Sequence, residues 1–103
     1  MIRLFAIGLL PLAFAASAAD PLAEARAAYA RGDFTNTISH ATNSIAKNPW
    51  QEDSRVLHIR ALMAQGQFAE AYTVTTNAMA KLASSVRVRW VAHEVFHFNN
   101  DPK

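Results

Sequence analysis

ARGDFTNTISHATNSIAK, residues 30–47, and AQGQFAEAYTVTTNAMAK, residues 64–81, align with each other without a gap. The offset between them is 34 residues, and seven of the 18 aligned positions hold the same amino acid. Self-similarity at a fixed period of this length is typical of chains built from stacked, equivalent units. The sequence therefore predicts a repeat architecture in which each unit covers its neighbour.

Apolar residues inside each unit recur at helical spacing. Phe34, Ile38 and Ala41 follow one another at intervals of four and three residues, which places them on one face of a helix. The second unit repeats this pattern from Phe68 onward, and apolar stripes of similar spacing precede both units. We predict helices over about residues 21–31, 34–47, 52–65 and 68–82.

Turn residues separate these helices at matching places. Gly32 and Gly66 fall between paired helices, where glycine can end a helix in the left-handed conformation and turn the chain back. Pro49 closes the first unit, and Glu52 and Asp53 put negative charge at the start of the next helix. We therefore predict Gly32, Gly66 and Pro49 as the structural turns.

A 34-residue unit made of a helix, a glycine turn and a second helix resembles the tetratricopeptide repeat. The residues that carry the resemblance are Gly32-Asp33-Phe34 with Pro49, and Gly66-Gln67-Phe68 with Ala71 and Ala78. The resemblance implies an all-α domain over residues 20–103, a short α-solenoid of antiparallel helix pairs. Its two repeats would lie at about residues 20–49 and 52–82.

The pattern departs from the family at several positions. Pro21 and Arg55 stand near the places where a large aromatic residue is usual, and Thr37 stands where a small residue is usual. Ala83 takes the place of the closing proline in the second unit. The spacing and the turn chemistry still agree, so the resemblance is to a degenerate member of the family.

A closing helix is predicted over about residues 86–98, where a third unit would begin. Ser84 or Ser85 would cap it, and solenoids need such a terminal helix to cover the last apolar face. A strand is the alternative, since apolar and charged residues alternate over residues 86–90.

The repeat register assigns roles within that helix. It makes Phe96 a core residue, equivalent to Leu62, and it makes His93 a partly buried packing residue, equivalent to Ile59. Asn100 falls where the earlier units have their turn glycines, and asparagine tolerates the left-handed conformation.

The first nineteen residues, MIRLFAIGLLPLAFAASAA, predict a cleavable signal peptide over residues 1–19. Arg3 is the only charge, an apolar run extends to Ala16, and small residues follow. The run is shorter than the roughly 20 apolar residues that a membrane-spanning helix needs. We therefore expect bacterial export to the periplasm or medium, without stable membrane insertion after cleavage.

Composition limits the class of partner. The chain has no cysteine, so packing rather than disulfides must stabilise an exported domain. Ten basic residues against eight acidic ones give a formal net charge of +2. A nearly neutral chain does not carry the basic signature of nucleic-acid binding, and we expect no nucleic-acid partner.

HEVFH, residues 93–97, has the His-Glu-x-x-His form of zinc metallopeptidases. On a helix His93 and His97 share a face and would be metal ligands, with Glu94 as the general base. Catalytic zinc needs three protein ligands, and only a few residues follow, among them Asp101. We expect no catalytic residue and no cofactor; a zincin-like peptidase, or a truncated fragment of one, is the alternative.

The resemblance to tetratricopeptide repeats implies a concave face, lined by the first helix of each unit, that binds peptides or partner domains. The residues that this register places on the face are Arg26, Tyr29, Arg60, Met63, Trp90, Glu94 and His97. Arginine forks suit carboxylates and aromatic residues anchor interfaces. The leading hypothesis is a periplasmic adaptor for a protein segment or subunit; a structural subunit of an envelope complex is a further alternative.

Overall fold

The computed structural model describes residues 20–99, which form five α-helices and no strand. We label them α1 (Pro21–Ala30), α2 (Phe34–Lys47), α3 (Glu52–Ala64), α4 (Phe68–Lys81) and α5 (Val86–Phe98). The five predicted helices are confirmed, each within one residue of its predicted bounds. The strand alternative for residues 86–90 is wrong. The predicted signal peptide, Asn100 and Asp101 lie outside the described residues.

Side-chain caps explain where three of the helices begin. Asp20 and Asp33 accept hydrogen bonds from the backbone N–H groups of Leu22 and Asn36, each at 3.3 Å. Ser85 accepts from the backbone N–H of Val88 at 3.1 Å, as one of the two predicted cap residues. Each cap pairs one of the N–H groups that a helix start leaves without an intrahelical partner.

Both glycine turns have the predicted left-handed backbone. Gly32 has a φ of 78° and Gly66 a φ of 77°. The N–H of Gly32 donates to the carbonyl of Tyr29 at 3.0 Å, and the next N–H, that of Asp33, donates to Ala28 at 2.9 Å. The same two bonds recur after Gly66. Both turns are therefore Schellman motifs, which return the chain antiparallel to the preceding helix.

We expect Gly66→Val to lower the free energy of unfolding by at least about 1–2 kcal/mol, the cost of a left-handed conformation for a residue with a Cβ atom. Outside the adjacent residues, a Cβ atom at Gly66 would meet no atom within 4 Å, so the cost of the Cβ atom comes from the backbone conformation. Urea unfolding followed by circular dichroism measures the loss. Gly66→Asn is the control and should lose less, because asparagine tolerates positive φ. Equal losses in the two variants would contradict the backbone explanation.

The helices form two layers. α1 packs against α3 and α3 against α5, which makes an inner layer of three helices. α2 and α4 form the outer layer, and each packs against the helix that precedes it and the helix that follows it. This is the tetratricopeptide-like order of antiparallel pairs, with α3 at its centre. Within residues 20–99 no helix is long and apolar enough to cross a membrane.

The core differs between the two halves of the domain. Its large apolar residues lie in α3, α4 and α5 and include Ile59, Leu62, Val88, Val91 and Val95. The first pair contributes mainly alanines to the core, namely Ala25, Ala28 and Ala41, together with Leu22. The junction between α2 and α3 is polar: the buried Ser44 and Ser54 hydroxyls lie 2.5 Å apart.

The repeat register predicts one side of α5 correctly and the other wrongly. Phe96 is buried, as predicted, and lies 5.3 Å from the ring of Tyr72. His93 is exposed rather than partly buried. The reason is that α1 and α3 are each covered by the next two helices, whereas among residues 20–99 no helix follows α5.

Two fully buried threonines differ in hydrogen bonding. The Thr37 hydroxyl donates to the carbonyl of Asp33 at 2.8 Å, whereas the Thr75 hydroxyl has no partner among the described residues. Thr75→Val keeps the shape and removes the unpaired group, so we expect it to stabilise the domain by about 1–2 kcal/mol. Thr37→Val is the matched control and should destabilise it by about 1 kcal/mol. Urea unfolding that shows a loss in both variants would mean that the Thr75 hydroxyl is paired.

Candidate functional site

Two adjoining grooves open on the inner layer, between α3 and α5. The first, of about 330 Å³, lies at the amino-terminal ends of these helices. Its lining residues are Val56, Arg60, Val86, Arg87 and Trp90. The lining thus combines three apolar side chains with two arginines.

The second groove, of about 380 Å³, continues toward the carboxyl-terminal ends of the same helices. Its lining residues are Tyr29, Arg60, Met63, Ala64, Phe68, Glu94 and Phe98. Phe68 and Phe98 stack with their ring centres 5.3 Å apart and their planes inclined by 10°. Arg60 lines both grooves, so they form one continuous surface along α3 and α5.

Large apolar side chains on this surface are open to solvent. Trp90 is 69% exposed, Val86 75% and Phe98 59%. Burying such side chains is favourable by about 25 cal/mol for each Å² of apolar surface removed from water. Contiguous exposed apolar patches mark interaction surfaces. The grooves therefore have the composition of a binding face rather than of an ordinary solvated helix surface.

Ion pairs tie the three inner helices together beside the first groove. Asp53 of α3 accepts hydrogen bonds from Arg26 of α1, at 2.6 Å, and from Arg87 of α5. The hydrogen bond from Arg87 and the two guanidinium charges lower the pKa of the Asp53 carboxyl below its usual value. Asp53 is consequently ionised at neutral pH, and two of the inner-face arginines already have a carboxylate partner.

Arg60 differs from those two arginines. None of the four ion pairs formed by residues 20–99 includes it. Its side chain is exposed at the point where the two grooves meet. A guanidinium group in that position offers a fork of N–H donors to a carboxylate of a bound molecule.

Most of the predicted site residues lie together. Tyr29, Arg60, Met63, Trp90 and Glu94 line one or both grooves. Arg26 does not line them and is held by Asp53 instead. His97 lines neither groove; its ring centre lies 6.0 Å from that of Phe98.

Several lining residues of this surface were not among the predicted site residues, including Val86, Arg87, Phe68 and Phe98. A signal for Arg87 was available, because Asp53 and Arg87 are 34 residues apart and hold opposite charges at equivalent places in successive units. Phe68 belongs to the outer helix α4 and lines the inner surface beside Phe98. The prediction used only the first helix of each unit, so it did not include a residue of α4.

The HEVFH segment lies on α5, with both histidines exposed. Within residues 20–99 no three histidine, cysteine, aspartate or glutamate side chains are grouped so that they could hold a metal ion. Two imidazoles leave most of the coordination of zinc to water or to other ligands. In this part of the chain Glu94 instead contributes to the second groove.

The family described as bacterial transcriptional activator domain matches residues 14–89 of the 103-residue chain. The match begins inside the predicted signal peptide and ends within α5, before the HEVFH segment. No curated protein and no solved structure matches the chain. The matched region contains α1 to α4 and therefore both glycine turns.

Proposed function

The chain belongs to the bacterial transcriptional activator domain family, and from that premise we propose that it is a helical interaction module that binds a protein segment along its inner face. The observation that carries the proposal is the junction of the two grooves at Arg60, beside a tryptophan that is 69% exposed. Aromatic residues and arginines are the side chains that most often dominate protein–protein affinity.

The partner segment is one that carries apolar side chains on both sides of an acidic group. Apolar side chains would lie against Trp90 in the first groove and against Phe98 in the second. A carboxylate between them would accept hydrogen bonds from Arg60, which lacks an acidic partner among the described residues. Helix-in-groove binding uses this kind of spaced apolar anchor.

We further propose that the module acts after export, in the periplasm or outside the cell, and that its helix pairs are degenerate tetratricopeptide repeats. The signal-peptide pattern of residues 1–19 supports the location, and the 34-residue period supports the repeat assignment. Mass spectrometry of the protein recovered from its native cells tests the location. A chain that retains Met1 would contradict it.

The test of binding is capture by the immobilised chain followed by affinity measurement on the captured protein. We expect Arg60→Glu to weaken the complex, because the reversed charge repels the acidic group of the partner. The matched variant Arg31→Glu changes an exposed arginine that lines neither groove. Equal effects of the two substitutions would place the partner elsewhere on the surface.

A second candidate is binding to nucleic acid, which the family description favours because it names a transcriptional activator. Arg60 and Arg87 in the first groove could then pair with phosphates. Fluorescence anisotropy with a labelled mixed-sequence duplex at low and high salt separates the candidates. Tight binding with a steep loss of affinity in salt, abolished in Arg60→Glu, would favour nucleic acid over a protein segment.

We propose no enzymatic activity. The zinc-peptidase alternative requires a third ligand besides His93 and His97. Among residues 20–99, no third histidine, cysteine, aspartate or glutamate is close enough to complete a metal site with them. Elemental analysis after purification without chelator is the measurement. Stoichiometric zinc that survives dialysis, with a peptidase activity lost in Glu94→Gln, would restore that alternative.

A further inference from the structure

A buried arginine lies on the other side of α3, which faces the outer helices. Arg55 is only 9% exposed. Its Nε–H group donates to the carbonyl of Pro49 at 2.9 Å. None of the four ion pairs formed by residues 20–99 includes it. A buried guanidinium without an acidic partner is costly unless its remaining N–H groups find acceptors.

Two clefts on the outer side of α3 meet at this arginine, the smaller between α2 and α4 and the larger between α4 and the loop that precedes α3. The smaller, of about 180 Å³, is lined by Arg55 together with Thr42, His58 and Asn77. The larger, of about 550 Å³, is lined by Arg55 and Asn77 together with Trp50 and Lys81. The Lys81 ammonium lies 4.6 Å from the centre of the Trp50 ring. Two cations and a side-chain amide therefore line the larger cleft beside an exposed aromatic ring.

His58 adds a neutral group rather than a third charge. Burial lowers its pKa below 6.5, the nearby Glu70 opposes that effect, and the charge of Arg55 reinforces it. The buried Nδ1 atom of His58 has no hydrogen-bond partner among the described residues. The positive character of the clefts at neutral pH comes from Arg55 and Lys81.

The next unit contains an equivalent arginine, Arg89, whose side-chain hydrogen bonds go to the carbonyl of its own turn. Arg89 is 34 residues after Arg55, and its target, Ala83, is 34 residues after Pro49. Arg89 donates through Nε and Nη2 to the carbonyl of Ala83, at 3.1 and 2.7 Å, and is exposed. Among residues 20–99, Arg55 donates to its own turn through Nε alone, so its two terminal nitrogens are available to a ligand in the clefts.

We propose that the two clefts that meet at Arg55 form a binding site for a small organic carboxylate. The terminal nitrogens of Arg55 would donate to the two carboxylate oxygens, since the guanidinium fork matches a carboxylate in two parallel hydrogen bonds. Lys81 supplies a second cation at the same cleft, and the apolar part of the ligand lies against Trp50.

The site is independent of the inner groove. Arg55 and His58 are on the side of α3 that faces α2 and α4, whereas Arg60 is on the side that faces α1 and α5. A ligand of this kind would bind whether or not a protein segment occupies the inner face. Failure of either proposal therefore leaves the other standing.

The experiment uses Trp50 as the reporter in the full chain carrying Trp90→Phe, which leaves one tryptophan. Benzoate is titrated at constant ionic strength, with acetate, benzyl alcohol and chloride as comparison ligands. We expect saturable fluorescence quenching by benzoate, weaker binding of acetate, and no saturation with benzyl alcohol or chloride. Inorganic phosphate that binds more tightly than benzoate would overturn the assignment to an organic carboxylate.

Three variants locate the site. Arg55→Gln should weaken benzoate binding at least tenfold, and Lys81→Gln, a change at an exposed position, at least threefold. Arg89→Gln is the matched control and should change it less than twofold. If Arg55→Gln fails to fold because its hydrogen bond to Pro49 is lost, the benzoate affinity of Lys81→Gln is the test of the proposal. Unchanged affinity in Lys81→Gln, or an equal loss in Arg89→Gln, would overturn the proposal.

Discussion

Phe96→Ala is expected to lower the free energy of unfolding by about 3–5 kcal/mol, the usual cost of deleting a buried phenyl ring. Phe96 is 8% exposed and packs against Tyr72 of α4 with the ring centres 5.3 Å apart. Its ring contact with Tyr72 helps to hold the last helix against the outer layer, and alanine would remove that contact. Urea unfolding followed by circular dichroism measures the loss.

His97→Ala is the control for this result, because His97 is the next residue of α5 and is exposed. Its loss should stay within about 0.5 kcal/mol, as for most surface substitutions. Since the domain is small, Phe96→Ala could unfold most of the population, so Phe96→Leu provides an intermediate change that remains measurable. Similar losses in Phe96→Ala and His97→Ala would show that Phe96 does not belong to the core.

Trp90→Ala is expected to weaken binding of the partner segment by at least about 2 kcal/mol, or about 30-fold in the dissociation constant. The tryptophan is exposed in the free chain and lines the first groove with Val56 and Arg60. A partner would remove its ring from water, so truncation deletes buried area in the complex and little in the free protein. Isothermal titration calorimetry with the captured partner measures the change.

Trp50→Ala is the matched control, since Trp50 is 62% exposed and lies on the outer side of the domain. It should leave the affinity for the partner segment unchanged. Both variants should keep the melting temperature of the parent within a few degrees, because neither ring is in the core. Equal loss of affinity in Trp90→Ala and Trp50→Ala would contradict the assignment of the inner face.

The helices and turns could be predicted from the sequence because local chemistry and the repeat point to the same answer. Gly32 and Gly66 recur at the same place in each unit, and both have the positive φ that their position requires. The helical spacing of Phe34, Ile38 and Ala41 predicted α2, and the turn residues Gly32 and Pro49 limited its extent. Such features depend on residues close together in the chain.

The residues that sequence reasoning misplaced depend on what lies beyond their own unit. His93 has the register of a packing residue, but its burial needs a following helix, which residues 20–99 do not contain. Arg55 looked like a departure from the repeat pattern, but it is buried beside residues of α2 and α4 that the sequence of its own helix does not reveal. Periodicity gives the face of a helix on which a side chain lies, not the surroundings that other helices supply.

The unequal core divides the domain into parts of different local stability. α1 and α2 are held mainly by alanines and by the Ser44–Ser54 contact, whereas Ile59, Leu62 and Val91 hold the last three helices. Small side chains bury less apolar surface, so the first pair opens and exchanges its amide protons at a lower free energy than the whole domain. In the proposed complex, we therefore expect the part of the groove formed by α1 to gain more order on binding than the part formed by Trp90.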